Sequence, residues 1–326
     1  MNSPTTRTIL IAFSIAVSLS GFAQGNRGQQ QQLPESIELL ADLPYAGTDN
    51  PRQKLDLLLP LNQSDQPLPV VVFIHGGAWR NGQKEGGRRR VAPFVASGNY
   101  AGATINYRLS GESIWPAQIH DCKAAIRWIR ANAKKYNLDP DRIGVWGTSA
   151  GGHLVSMLGT SDDVSSMDGS IGPHNDVSSR VTCVADFYGP TNFLAMNETA
   201  IPSATLDHNA ADSPESQLVG GPIQENPDIV ANANPITYVT PDDPPFLIVH
   251  GTLDPSVSFN QSELLHAAFK KAKVDSTLIT VKGGGHGRGF GSKANEFVEK
   301  FFDHHLSGKR ISWTDQAYES DPWQRR

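Results

Sequence analysis

Gly147-Thr148-Ser149-Ala150-Gly151 centres one serine between two glycines, and no second G-x-S-x-G run occurs in the chain. A serine alcohol is a weak nucleophile until a neighbouring base removes its proton. The chemistry to look for is therefore acyl transfer, with a histidine as base and a carboxylate to orient it. Both candidates lie further along. His286 stands in "KGGGHGRGF" after the apolar run "STLITV", where glycines let the chain fold sharply and turn the imidazole inward. Asp254 stands in "TLDPSV" after "PPFLIVHG". Such a reaction also needs N–H donors for the oxyanion that develops on the substrate. The backbone N–H of Ala150 is one candidate, and Gly77 and Ala78 in "HGGAW" are the candidates for the second.

These groups work only if distinct elements deliver them to one place. "IGVW" before the serine has the apolar, β-branched character of a strand, and "GHLVSML" after it that of a helix. A sharp strand-to-helix turn holds its central residue at positive φ and lifts that side chain clear of the backbone. It also leaves Ser149 at a helix N-terminus, where free N–H groups favour negative charge. "VVVFIH" (70–75) is a continuous run suited to a strand buried on both faces, and the "HGGAW" loop follows it. That loop resembles the His-Gly-Gly-Gly type of oxyanion loop, with Ala78 where a third glycine often stands. Further strands are expected at 54–60, 100–108, 181–189, 244–251 and 276–283. Helices are expected at 118–136, 263–272 and 295–306, each with apolar residues three or four apart. Alternating strands and helices predict an α/β fold around a mostly parallel sheet. The Pro-, Asn- and Ser-rich stretch between "DFYGP" and "PPFLIVHG" is too long for a simple connection. It is expected to be an excursion of short helices over the strand ends. The tail from Ser307 carries no periodic pattern and is expected to lie loose or wrapped on the surface.

The remaining features are blander. Of the ten histidines, His153 reads as a packed core residue, His250 as a brace for the Asp254 loop and His75 as a loop-fixing residue. His120, His266, His304 and His305 fall on helices, mostly at polar or boundary positions. No H-E-x-x-H or paired Cys/His spacing points to a metal, and "SDDVSSMDGSIG" (161–172) lacks the spacing of a calcium loop. A net charge of −5 gives no electrostatic footprint for nucleic acid. "GGRRR" (86–90) reads as a solvated helix start. "ILIAFSIAVSLS" (9–20) followed by "GFA" reads as a secretory signal peptide over residues 1–23, with a polar leader over 24–36; the alternative is a short membrane anchor. The apolar run falls short of the roughly 18 residues that span a bilayer. The mature protein is thus expected to be secreted or periplasmic, without a membrane span. Cys122 and Cys183 could pair in an exported chain. Each sits in an apolar pattern that suits a buried thiol, however, and a core of this size needs no staple.

Taken together, "HGGAW", "GVWGTSAGGHL", "DFYGPT", "SPESQLVGGPIQENP", "HGTLDPSV" and "GGGHG" resemble the α/β-hydrolase superfamily over residues 40–306. Within it they are similar to the esterase/lipase-like group that includes bacterial bifunctional feruloyl and acetyl-xylan esterases. The resemblance implies an eight-stranded, mostly parallel sheet with helices on both faces, a small helical cap over 190–236, and no cofactor. It implies ester hydrolysis through an acyl-serine, with Ser149 as nucleophile, His286 as base and Asp254 as its orienting acid, in the chain order this topology requires. Ala150 with Gly77 or Ala78 would bind the oxyanion. Substrates in the group range from acetyl and feruloyl esters on plant polysaccharide to plain short-chain esters. Trp79, Tyr188 and Trp115 are candidates to line the pocket, where an aromatic wall would suit a sugar or cinnamoyl ring; simple packing explains each of them as well. Prolyl-oligopeptidase-type peptidases share the catalytic core but usually carry a propeller domain that is absent here. A binding protein that kept the fold and lost the chemistry would lack a triad member, and all three are present.

Overall fold

The structure, a computed structural model, describes residues 33–63, 65–312 and 314–322. The signal peptide read at 1–23 and most of the leader lie outside them. Among the described residues nine strands form one sheet in the order β1-β2-β4-β3-β5-β6-β7-β8-β9. They are β1 (Ile37–Pro44), β2 (Lys54–Pro60), β3 (Leu68–Ile74), β4 (Ala101–Ile105), β5 (Leu138–Thr148), β6 (Cys183–Phe187), β7 (Phe246–Gly251), β8 (Ser276–Lys282) and β9 (Gln316–Glu319). The pairs β1–β2 and β2–β4 are antiparallel. From β4 to β9 every pair is parallel.

The eight strands implied by the resemblance become nine because the tail contributes one. Residues 316–319 pair with β8 at the sheet edge, and the Tyr318 hydroxyl donates to Phe290 O at 2.8 Å. β9 is short and mostly exposed, so no apolar alternation betrays it. β1 escaped the sequence reading in the same way: it pairs on one side only, and a bulge between Leu40 and Leu43 interrupts its pattern.

The central strands are buried on both faces because helices cover both. Along β3, Val70, Val72 and Ile74 point into one core, and Val71 and Phe73 into the other. The second core is closed by α1 (Arg88–Ala96) and by the last helix, Gly291–Ser307, through Val91, Val95, Phe301 and Phe302. The first is closed by α2 (Ala117–Ala131), α4 (Ala150–Thr160) and α8 (Asn260–Ala272), through Ile119, Ile126, Leu154, Leu158, Leu265 and Phe269. The helix expected over 118–136 divides at Asn132 into α2 and a short α3 (Ala133–Tyr136). Cys122 and Cys183 are free, and they lie in the two different cores on opposite faces of the sheet.

A one-turn α5 (Ser165–Asp168) precedes β6. Between β6 and β7 the chain runs through 3-10 turns and two short helices, α6 (Pro214–Val219) and α7 (Pro227–Ala233). Phe193, Leu218, Ile223 and Val230 of this cap are fully or almost fully buried against the first core. The last helix, Gly291–Ser307, is α9. Among the described residues no helix is long and apolar enough to cross a membrane.

Candidate active site

β3, β5, β6, β7 and β8 are neighbours and run parallel. Their C-terminal ends therefore open on one edge, where sheets of this kind place their ligands. The loop after β3 carries Gly77 and Ala78, the turn after β5 carries Ser149, and the residue after β6 is Tyr188. The loops after β7 and β8 carry Asp254 and His286.

Ser149 sits at φ 56° and ψ −124° between β5 and α4. This strained conformation is held by bonds on both sides: its N–H donates to Phe187 O at 2.9 Å, and its carbonyl accepts from His153 N at 3.0 Å. The turn packs so tightly that a Cβ on Gly147 would collide with the carbonyl oxygen of Gly151, and one on Gly151 with that of Ile74. Glycine is required at both positions because backbone, not a movable side chain, fills the space.

The structure brings the three distant side chains into one line. His286 Nε2 is 2.9 Å from Ser149 Oγ, and its Nδ1 is 2.7 Å from Asp254 Oδ2. A carboxylate only accepts, so Nδ1 carries the hydrogen and Nε2 turns a lone pair to the serine hydroxyl. Asp254 is buried and fully engaged: Oδ1 accepts the N–H groups of Ser256 and Val257 at 2.8 and 2.9 Å, and Oδ2 is also 3.2 Å from His250 Nε2. Burial alone would raise its carboxyl. The hydrogen bonds from His250 and His286, with the charge of those rings, outweigh burial and hold it well below the usual carboxylate range. His250 Nε2 also faces Val257 O at 3.0 Å, and both neighbours are acceptors, so this nitrogen carries hydrogen. His250 thus ties the Asp254 loop down.

Beside the serine, Gly77, Ala78 and Trp79 all have positive φ, at 113°, 54° and 54°. The loop is braced from behind. The Tyr107 hydroxyl donates to His75 O at 3.0 Å, and the two rings stack with centroids 4.4 Å apart. Among the described residues no acceptor takes the N–H of Gly77, Ala78 or Ala150, which leaves these donors available to a bound oxyanion. Burial lowers His75 to about 4, so the ring is neutral near pH 7.

A cleft of about 430 Å³ opens over Ser149 and His286. Of the aromatic candidates, Trp79 and Tyr188 contribute to its lining; Tyr188 lies with its ring centroid 4.7 Å from that of His286. Trp115 does not. Its ring packs on His153 and its indole N–H donates to Asn232 O at 3.2 Å, so it anchors the cap instead of touching the cleft. Trp79 is itself almost fully buried, with Nε1 donating to His153 Nδ1 at 3.2 Å. Nδ1 of His153 therefore accepts, and Nε2–H donates to Ala233 O at 2.6 Å. One neutral imidazole, lowered to about 4 by burial, thus links the oxyanion loop, the helix behind the serine and the cap.

Several cleft residues were not legible in the sequence, among them two that can carry charge. His208 and Glu215 line the wall that the cap provides, both nearly fully buried. In the sequence Glu215 looks like an ordinary acidic residue of a helix first turn, and His208 lies in a stretch without periodicity. Among the described residues no three His, Cys, Asp or Glu side chains cluster as a metal site would require.

The parallel sheet order, the strained serine between β5 and α4, and the acid and histidine after β7 and β8 define an α/β-hydrolase fold with an assembled serine–histidine–aspartate site. The chain belongs to the BD-FAE family of that superfamily, which it matches over residues 55–269. Esterase LipC of Mycobacterium tuberculosis is 30% identical over 240 residues, 73% of this chain and 58% of that protein. This chain thus spans little more than half the length of that relative. A solved structure described as a truncated form of carbohydrate esterase from gut microbiota is 34% identical, with a TM-score of 0.75 over 83% of this chain and 96% of the other. An acetyl ester-xyloside bifunctional hydrolase from Caldicellulosiruptor lactoaceticus is 28% identical, with a TM-score of 0.64 over 81% and 95%.

Proposed function

We propose that this chain is a serine carboxylester hydrolase that removes acetyl or feruloyl groups from plant polysaccharide. The observation that carries the reading is His286, hydrogen-bonded at once to Ser149 Oγ and to the buried Asp254. Ser149 Oγ attacks the ester carbonyl while His286 Nε2 takes its proton, and the Nδ1–H bond to Asp254 stabilises the imidazolium so formed. The oxyanion of the tetrahedral intermediate is held by the N–H of Ala150 and that of Gly77 or Ala78. Each such donor typically contributes about 10²–10³ in rate. When the intermediate collapses, the C–O bond to the alcohol breaks and His286 returns the proton to the leaving oxygen. Water then repeats the sequence on the acyl-serine, with His286 again the base, and releases the acid.

The carbohydrate assignment is supported by the similarity to the carbohydrate esterase and the acetyl ester-xyloside hydrolase. An open cleft with both aromatic and polar walls is consistent with it. Export through the signal peptide read at 1–23 also fits a substrate too large to enter a cell. Rates on acetylated xylan, methyl ferulate, short p-nitrophenyl esters and a proline peptide test the proposal. Turnover of the first or second well above the simple esters is expected. Activity confined to simple esters reduces the reading to a short-chain carboxylesterase, and peptide cleavage overturns it.

A further inference from the structure

We infer that Tyr188 is a positioning residue for the reaction: its ring holds the glycine-rich loop that carries His286, and so keeps the imidazole in line with Ser149. The inference rests on the esterase reading above. Tyr188 follows β6 at φ 46°, in the left-handed region that a bulky side chain occupies only under strain. Two bonds keep the chain there. The Tyr188 N–H donates to Val249 O at 3.0 Å, and the Gly189 N–H donates to Asp186 Oδ1 at 2.9 Å. Glycine or asparagine would form the turn with less strain, so the conformation serves the tyrosine side chain.

That side chain offers the cleft little surface, being only 7% exposed. Its ring instead meets the loop 283–291 at three points. It lies 4.7 Å from the ring of His286 and 5.4 Å from that of Phe290, the latter edge to face. Its hydroxyl oxygen sits against Gly287, where a Cβ would come within 2.6 Å of it. The loop has little to fix it from within. Gly283, Gly287, Gly289 and Gly291 all have positive φ, and glycine leaves the backbone freer than any other residue. Across the tip the Gly285 N–H donates to Arg288 O at 3.0 Å, but among the described residues neither His286 nor Gly287 has an acceptor for its N–H. A misplacement of about 1 Å at a reacting group can lower a rate about 100-fold. A rigid ring packed against the imidazole limits that movement.

The test follows hydrolysis of p-nitrophenyl acetate by wild type, Tyr188→Phe, Tyr188→Ala, Gly287→Ala and the double variant Gly287→Ala with Tyr188→Phe. Tyr188→Phe keeps the ring and should retain kcat within about threefold, whereas Tyr188→Ala should lower kcat about 100-fold with a much smaller change in KM. In Gly287→Ala the new methyl group meets the Tyr188 hydroxyl and forces ring and loop apart, so kcat should fall about 10-fold. Removing that hydroxyl in the double variant should recover at least about threefold of this loss, a coupling expected of groups in contact. Gly287 is exposed, so these last two variants carry the test even if Tyr188→Ala does not fold. A loss in Tyr188→Ala confined to KM, an unchanged kcat in Gly287→Ala, or a double variant no better than Gly287→Ala overturns the inference. Any of these in an active wild type leaves the esterase reading standing, whereas a wild type that hydrolyses no ester removes both.

Discussion

In an Asp254→Asn variant, the imidazole of His286 should carry its hydrogen on the wrong nitrogen. Oδ1 of Asp254 receives two backbone N–H groups, from Ser256 and Val257, while Oδ2 faces His286 Nδ1 and His250 Nε2. An asparagine has one acceptor oxygen and one NH₂. The two backbone donors keep the oxygen on their side, so the NH₂ turns to His286. Nδ1 must then accept, Nε2 must carry the hydrogen, and no lone pair remains for Ser149. A wrong tautomer of this kind costs about 10⁴ in kcat, or roughly 5 kcal/mol of transition-state stabilisation. Stability should fall as well, by about 1–3 kcal/mol, because the NH₂ now opposes the Nε2–H of His250.

The depressed Asp254 carboxyl sets the pH dependence of that second loss. Its contribution is present above the unfolded value of about 4 and is lost as pH falls through the lower folded value. The stability gap between wild type and variant should therefore narrow below about pH 4. Steady-state hydrolysis of p-nitrophenyl acetate, with urea unfolding at several pH values, measures both effects. A variant that retains more than about a tenth of wild-type kcat would refute the tautomer argument.

Ser149→Ala should lower ester turnover by about 10⁶ and leave thermal melting nearly unchanged; residual turnover within a hundredth of wild type would mean another nucleophile. Burial raises the Asp186 carboxyl to about 6 against hydrogen bonds from Ser156 and the Gly189 N–H. Its contribution to stability is present below about pH 4 and is lost as pH rises through about 6. Asp186→Asn should therefore gain stability above that range, on the order of 2–3 kcal/mol at most, and none near pH 4; equal gaps at both ends of the range would contradict this. His153→Phe strands the Trp79 indole N–H and the Ala233 carbonyl in the interior. It should cost about 2–4 kcal/mol, seen as a lower urea midpoint, with unchanged stability as the refuting result.

The parts of this fold with strong local patterns were legible in the sequence. β3, β7 and the second half of β5 (143–147) are buried on both faces and read as apolar runs, and α8 and α9 carry their stripes at helical spacing. The sheet edges were not legible. β1 and β9 bury little and pair on one side, so their register depends on a neighbour far away in the chain. The cap shows the same limit: composition marks an excursion over 190–236, but not that His208 and Glu215 turn towards the cleft while Trp115 turns away from it.

By itself the sequence determined which side chains are chemically able to act. A serine between clash-limited glycines, a histidine among glycines and an aspartate after an apolar strand are local statements, written in a few residues each. Only the tertiary structure decided their distances, the tautomer of each buried imidazole and which polar atoms go without partners. Those properties depend on the order in which β3, β5, β7 and β8 lie side by side, and on bonds between residues more than a hundred positions apart such as Ser149 and His286.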